Sequence, residues 1–568
     1  MRRNPRLLIA NKISQALSDK NVSVTDTVAK HLTLNLGKSD GTIYFSLPLR
    51  SKFYDIRADA PKLINSKSDE FLENVIPSDN SEKLHFIVHR EHFIKGLLDS
   101  LYHKVVPPDF LCRKQENIVV EFSSPNIAKP FHIGHLRSTI IGNCIANIHN
   151  FMNCDVRKIN YLGDWGTQFG FVQLGLSLIP SSNVSLQNDP IHTLYNAYVQ
   201  ASAKAEKDPT LADKARNIFE SMEKGDEDAL SQWTSIREHT IEELKNTYSR
   251  LNVNFDEYEW ESMYRMEKIS GLISELERQR IVKVDSEGKK IIVLSDKKSV
   301  PIVKSDGSSL YISRDIAAAM ERYKKFKFDR MYYVVDNGQT QHFMNLINIL
   351  ELMKLPWANK LMHIKFGKVR GMSTRKGTAI FLKDILDETR NVMKEKQIQS
   401  PNTKVQLDCE HPSTEILGLS AVVINDLKYR RTQDYQFDWN KALDIKGDTG
   451  VKLQYTHSRL KSIETYSEVV AATECDPSLL TGSIVDDLTH MIGKFDEAIM
   501  NSHQELEPNI LVNYLFKLSH VLGSAIKCLK VKGEPMSVAS QRLYLFIVAR
   551  NILAKGMQLV GLTPLDQM

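Results

Sequence analysis

Hydrophobic and polar positions along the chain fall into three regimes. Up to about residue 108, short runs at 41–48 and 84–88 predict strands flanked by helical patterns, a small α+β unit closed off by Pro107 and Pro108. Residues 118–124 are then mostly β-branched, aromatic and apolar, as in a buried strand. A loop and a helix over about 132–152 follow, with Leu136, Ile140, Ile141, Ile145, Ile148 and Met152 on one helical face. Residues 156–162 read as a second strand, and 332–335 and 363–369 as later ones. Strand, helix, strand in this order predicts a parallel, Rossmann-like doubly wound sheet. Inserted into it are a charged helical stretch at about 191–245 and two short strands, 290–294 and 300–304, with a turn at 305–308. From about residue 444 strand signals vanish, and 453–466, 484–500, 510–529 and 538–560 carry helical periodicity. The expected class is α/β: an N-terminal α+β domain (1–108), a doubly wound catalytic domain with a helical insertion (109–440) and a C-terminal all-α bundle (441–568).

Composition changes this picture little. The 568 residues are 42% hydrophobic and 25% charged, which is ordinary for a soluble protein with sizeable cores. The net charge of +5 permits a polyanionic partner without requiring one. Six cysteines lie scattered, without a Cys-x-x-Cys pair or a Cys/His cluster of zinc spacing, so no zinc site and a reducing compartment are expected. No apolar run is long enough to span a membrane. The first twenty residues hold Arg2, Arg3, Arg6, Lys12 and Lys20 against one acid, Asp19, with apolar residues at helical spacing. Two readings stand side by side there: a mitochondrial presequence, or the first helix of the folded protein.

Candidate chemistry begins at His132-Ile133-Gly134-His135, at the first strand-to-helix crossover. The two histidines share a helical face, the helix N-terminus offers free N–H groups to phosphate, and Gly134 leaves room for a flat ring. Imidazole donors there could stabilise charge developing on a triphosphate. A second segment, Gly371-Met372-Ser373-Thr374-Arg375-Lys376-Gly377, follows a predicted strand with small, hydroxyl and cationic residues that could close over pyrophosphate.

Together the two segments resemble the HIGH and KMSKS signatures of class I aminoacyl-tRNA synthetases. Their surroundings narrow the resemblance to the arginyl-tRNA synthetase family: residues 120–131 leading into the first signature, Leu136-Arg137-Ser138-Thr139 after it, then 160–170 and 305–315. It runs from about residue 118 to the C-terminus.

The resemblance implies an ATP-dependent ligase that forms arginyl-adenylate, with magnesium accompanying ATP, and then transfers arginine to the terminal adenosine of tRNA-Arg. It implies that Ser124, Pro125 and Asn126 hold the amino-acid end of L-arginine, that His135 borders the pocket, and that Tyr311, Asp315 and Gln339 contact the substrate arginine. A planar, permanently charged guanidinium needs a carboxylate and a flat wall, and Tyr311 and Asp315, four apart, share a helical face. Glu121 and Glu261 are further acidic candidates. ATP is expected to meet Lys129, His132, Gly134, His135 and Met372, with His132, His135, Lys129, Ser373 and Arg375 serving catalysis. The usual KMSKS lysine is absent, and Lys129, three residues before His132, is the expected replacement, with Arg375 or Lys376 as alternatives.

The helical C-terminus resembles the DALR anticodon-binding domain, which implies RNA contacts at Tyr455, His457, Arg459 and Met568. The N-terminal unit resembles the family's extra tRNA-binding domain. The family also implies that tRNA must be bound before arginine is activated. A monomer without membrane attachment is expected, in the mitochondrial matrix, with the cytoplasm as alternative.

Overall fold

The computed structural model describes residues 4–17, 25–38, 40–49, 70–111, 115–127, 131, 133–179, 189–295, 298–305, 307–371, 381–399, 412–444 and 447–568. Near the N-terminus, β1 (Thr33–Leu36), β2 (Ile43–Pro48), β3 (Leu72–Pro77) and β4 (Lys83–Val88) form an antiparallel sheet in the order β1-β2-β4-β3. Sequence patterning predicts only β2 and β4. Of the two missed strands, β3 buries only Leu72 and Val75 and so lacks a clean alternation.

The basic start forms the helix Pro5–Leu17. Ile9, Ala10 and Ile13 are buried in the core, and the buried guanidinium of Arg6 pairs with Glu497 of the C-terminal bundle at 2.6 Å. Glu497 also accepts the Leu34 N–H at 2.6 Å, tying the N-terminal sheet to the same carboxylate. Residues 6, 9, 10 and 13 of this helix thus pack into the fold.

The central sheet is five-stranded among the described residues and parallel throughout. From β5 (Asn117–Glu121) the chain passes through the signature helix (Ile133–Phe151) to β6 (Asp155–Leu162), then through the helix Thr167–Leu178 and three helices of the insertion to β7 (Glu257–Trp260). An antiparallel trio follows, β8 (Val282–Val284), β9 (Lys290–Ser295) and β10 (Lys298–Val303). The chain then returns to the other side of β5 as β11 (Arg330–Tyr333) and β12 (Leu361–His363). The order β12-β11-β5-β6-β7 places a switch point between β5 and β11, and in such sheets ligands bind beyond the carboxyl ends of the strands at that point. Alternation along β5 serves both faces: Ile118 and Val120 enter one core, while Val119 joins Ile159, Met331 and Tyr333 in another. All six apolar residues predicted to line one face of the signature helix are buried.

The C-terminal bundle comprises Gly450–Tyr466, Ser483–Gly493, Phe495–Glu505, Pro508–Cys528 and Met536–Leu559. The single helix predicted over 484–500 divides at Lys494, whose N–H reaches both His490 O and Met491 O. Gly493 lies there against Leu34 and Phe93 of the N-terminal unit, where a Cβ would stand 2.7 Å from a Leu34 methyl.

Candidate active site

Strand β5 ends at Glu121, and the chain leaves it through Ser123 and Ser124, both left-handed, with φ of 71° and 45°. Such a conformation costs a non-glycine residue about 1 kcal/mol or more, so the surroundings must enforce it. They do so with hydrogen bonds. The Ser123 N–H donates to Ser138 Oγ at 2.9 Å, and its hydroxyl meets Tyr248 Oη at 2.7 Å and accepts from Thr139 Oγ1 at 2.8 Å. The Ser124 N–H donates to Asn160 Oδ1 at 3.1 Å. Ser138 and Thr139 belong to the signature helix and Asn160 to β6, so the turn is clamped between them. The clamp delivers Pro125, which is buried, and Asn126, which bridges to Gly163. A side chain at Gly163 would bring its Cβ within 3.1 Å of Asn126 Nδ2, which explains the glycine.

The acidic side of the site is built by the pocket helix, Tyr311–Phe326. Its N-terminus is anchored to β10 by Leu310 N–H and Ser313 Oγ, both donating to Ile302 O. Asp315 stands one turn in, its side chain 23% exposed. Glu261, from the short turn after β7, is half-buried, with an enclosed Oε2 that finds no hydrogen-bond partner among the described residues. Burial is the main cause of a Glu261 pKa pushed up to about 8; Arg314, 3.9 Å away, opposes the shift and Asp315 adds to it. Tyr161 Oη, from the end of β6, is also buried without a partner, and burial with the nearby charges of Asp315 and Glu261 raises its pKa well above normal. Two carboxylates and a phenol thus converge on one place with hydrogen-bonding capacity to spare.

Two sequence expectations change here. Glu121 is not available to a substrate: it pairs with the buried guanidinium of Arg322, whose Nε donates to Glu259 at 2.7 Å. Burial opposes the charge on Arg322, but Glu259 and Glu121 outweigh it and raise its pKa. Tyr311, 53% exposed, already carries the Arg314 guanidinium over its ring at 4.7 Å, so one face of the expected flat wall is occupied.

The remaining expected residues divide by position. Gly134 and His135 lie in the first turn of the signature helix, half-buried, with the His135 ring 5.2 Å from Phe131. Gln339 is exposed at the end of the turn Asn337–Gln339, where Asp336 caps the Gly338 N–H at 2.6 Å. Lys129, His132, Met372, Ser373, Arg375 and Lys376 lie outside the described residues. In the bundle, Tyr455 and Arg459 are half-buried, and Met568 packs beside Leu565 against a small core at Val392, Met393 and Val451. His457 requires a correction: it is buried, its Nδ1 donating to Leu565 O at 2.8 Å, so it fastens the C-terminal tail rather than presenting a ring to RNA.

Sequence reasoning missed Arg322 and His342. Arg322 lies seven residues after Asp315 on the pocket helix, two turns along the same face. His342, three residues after Gln339, places Nε2 at 2.6 Å from Asp315 Oδ2. Helical spacing from an expected ligand was the available signal for both. Behind the signatures, the buried Arg137 of the signature helix donates to Gly367 O at 2.7 Å and Gln433 O at 2.9 Å, fixing the segment that leads toward Gly371.

Among the described residues no group of three or more His, Cys, Asp or Glu could hold a metal ion, and no helix is long and apolar enough to cross a membrane.

Comparison with known proteins places this site in a family. The model for tRNA synthetases class I (R), catalytic domain, matches residues 99–439, and the DALR anticodon binding domain matches 453–568. The chain is 41% identical over 495 residues to a probable mitochondrial arginine–tRNA ligase of Mus musculus, covering 85% of each. It is 39% identical over 489 residues to the cytoplasmic arginine–tRNA ligase of Saccharomyces cerevisiae, covering 82% of this chain and 80% of that one. Its fold matches the arginyl-tRNA synthetase of Thermus thermophilus with a TM-score of 0.80 at 21% identity, over 99% of this chain and 100% of that one. The arginyl-tRNA synthetase from Plasmodium falciparum gives 0.77 at 23% identity, over 99% and 98%. With the catalytic-domain model spanning more than half of its length, the chain belongs to the arginyl-tRNA synthetase family of class I ligases.

Proposed function

We propose that arginine is activated in the cleft beyond the carboxyl ends of β5 and β11, with Asp315 and Glu261 holding the substrate guanidinium. The protein is an ATP-dependent arginine–tRNA ligase. The observation that carries the placement is Glu261 Oε2, without a hydrogen-bond partner among the described residues, beside Asp315 and Tyr161 Oη on the carboxyl-end side of the parallel sheet. Buried polar atoms without partners are rare in folded proteins, and a guanidinium with five donors satisfies such a set.

In the first step a carboxylate oxygen of arginine attacks the α-phosphorus of ATP, and the bond to the leaving pyrophosphate breaks. In the second, the 2′-hydroxyl of the terminal adenosine of tRNA-Arg attacks the carbonyl carbon of arginyl-adenylate, and AMP leaves. The chain's part is orientation and charge stabilisation. Ser124, Pro125 and Asn126 hold the amino-acid end, and Gln339 contacts it from the turn after β11. Gly134 and His135 meet the nucleotide at the tip of the signature helix, with Lys129, His132, Met372, Ser373 and Arg375 on its phosphates. Magnesium arrives as part of the ATP substrate. Residues 109–440 perform the chemistry, while 1–108 and 441–568 bind tRNA, with Tyr455, Arg459 and Met568 on the anticodon side. The compartment is the mitochondrial matrix, supported by the basic, acid-poor start and by mitochondrial relatives.

Two measurements test the reading. ATP–pyrophosphate exchange with each amino acid, with and without tRNA, is expected to respond to arginine alone; exchange driven by another amino acid overturns it. Asp315→Asn is expected to lower kcat/KM for arginine by about 100-fold, the scale of an unpaired buried charge, while tRNA affinity stays within about two-fold. Equal loss of both would make Asp315 a structural residue.

A further inference from the structure

We infer that His342 is a positioning residue for the arginine pocket: its Nε2–H holds one oxygen of Asp315, so that the carboxylate keeps one orientation toward the incoming guanidinium. The inference rests on the reading of Asp315 as a guanidinium ligand.

The geometry is specific. His342 lies in the helix Thr340–Leu352, which begins directly after the turn bearing Gln339, so it comes from a different element from the pocket helix. Its Nε2 is 2.6 Å from Asp315 Oδ2, the length of a charge-assisted hydrogen bond. The imidazole sits edge-on to the ring of Phe343 at 5.4 Å, and Phe343 in turn packs on Tyr333 at 4.8 Å. Each carboxylate oxygen can accept about two hydrogen bonds, so the bond from His342 leaves capacity on both oxygens for a forked guanidinium. An aspartate with a free χ2 would instead spread over many orientations and give up part of the bidentate fit.

His342 also sets the charge of the slot. The charged groups whose field reaches it are Asp315 on the pocket helix and Glu121 on β5. Burial disfavours its imidazolium, yet the hydrogen bond and the charge of Asp315, with Glu121 behind, outweigh burial and hold its pKa above the ordinary histidine value. A protonated His342 makes a neutral pair with Asp315. An arriving guanidinium, itself always cationic, then favours loss of that proton, leaving a neutral imidazole whose Nε2–H still donates to Asp315. Arginine affinity therefore rises with pH as His342 gives up its proton. Lysine gains less from this arrangement, because an ammonium cannot bind both carboxylate oxygens in the planar fork that His342 preserves.

The test is exchange kinetics on the full chain with His342→Ala, His342→Gln and Asp315→Asn, each checked for unchanged Tm. His342→Ala is expected to raise KM for arginine about 10-fold while KM for ATP and kcat at saturating arginine move less than about three-fold. His342→Gln, which keeps an N–H donor but cannot titrate, is expected to recover most of the loss and to flatten the fall of arginine KM that accompanies histidine deprotonation in the wild type. In the Asp315→Asn background, His342→Ala should add almost nothing. If Asp315→Asn raises arginine KM and His342→Ala does not, the positioning role falls and the pocket stands. If Asp315→Asn leaves arginine KM unchanged, the pocket falls and the role of His342 with it. Parallel losses for arginine and ATP in His342→Ala would show a merely structural histidine.

Discussion

The protein holds one guanidinium of its own a short distance from where it is proposed to hold another. Arg322 is 2% exposed, bonded by Glu121 and Glu259, with the rings of Tyr161 and Tyr333 at 4.8 and 6.0 Å. The substrate slot repeats these ingredients: the carboxylates of Asp315 and Glu261, and Tyr161 again, through its hydroxyl instead of its ring face. What differs is what is left over. Around Arg322 both carboxylates are paired with a cation on the pocket helix, and the buried atoms without a hydrogen-bond partner among the described residues are Nη2 of that cation and Tyr333 Oη. In the slot Glu261 Oε2 and Tyr161 Oη lack hydrogen-bond partners among the described residues, Tyr311 stands half open, and a histidine rather than an arginine faces Asp315. A folded chain satisfies its buried polar groups wherever it can, so the set left short of donors is the one that waits for a ligand. The resident arginine also keeps Glu121 and Glu259 from adding two further charges to the slot.

The largest way to break this comparison is to remove the resident. Arg322→Met leaves Glu121 and Glu259 buried without their cation, and should cost about 3–5 kcal/mol of folding free energy in urea denaturation. Asp315→Asn, by contrast, touches a partly exposed residue and should shift stability by less than about 1 kcal/mol while removing arginine use. The two substitutions thus separate a structural guanidinium site from a functional one. Should Arg322→Met instead keep its stability and lose arginine affinity, Arg322 would belong to the slot and the distinction would dissolve.

The parts of the site legible in the sequence were those whose neighbours in space are also neighbours along the chain. Tyr311 and Asp315 needed only one helical turn, and the Ser124–Asn126 turn with its signature helix needed only the crossover at residues 118–135. Glu121 and Glu261 could be named as acids but not sorted, because their fates depend on Arg322 and Arg314, 201 residues after Glu121 and 53 after Glu261. The predicted strand 363–369 shows the same limit. Its apolar residues suit a strand, yet the backbone is divided: Leu361–His363 pairs with β11, whereas Val369–Arg370 pairs with Tyr435–Gln436. Between them Arg431 and Arg137 claim the carbonyls of Lys365 and Gly367. Side-chain guanidiniums from distant elements share this stretch with isolated backbone pairs such as Asp336 with Phe366, and no local pattern records that.

A smaller effect sharpens the comparison through the titration of the open slot. Glu261 is pushed up to about 8, mainly by burial. Below the ordinary carboxylate range it is protonated in both the folded and the unfolded chain and contributes nothing to the pH dependence. Between that range and about pH 8 the folded chain holds a proton that the unfolded chain has released, so stability without arginine falls as pH rises through this window. Bound arginine reverses the preference, since its guanidinium stabilises the ionised carboxylate. The rise in Tm produced by saturating arginine should therefore be larger at about pH 8.5 than at about pH 7. Glu261→Gln should flatten that difference, lower arginine affinity about 10-fold, and leave the remaining pH dependence to His342. A thermal-shift series across these pH values, run on the wild-type chain and on Glu261→Gln, reads all three. If the arginine-induced shift is the same at both pH values in the wild type, Glu261 does not face the substrate, and Asp315 is left as the only carboxylate assigned to the guanidinium.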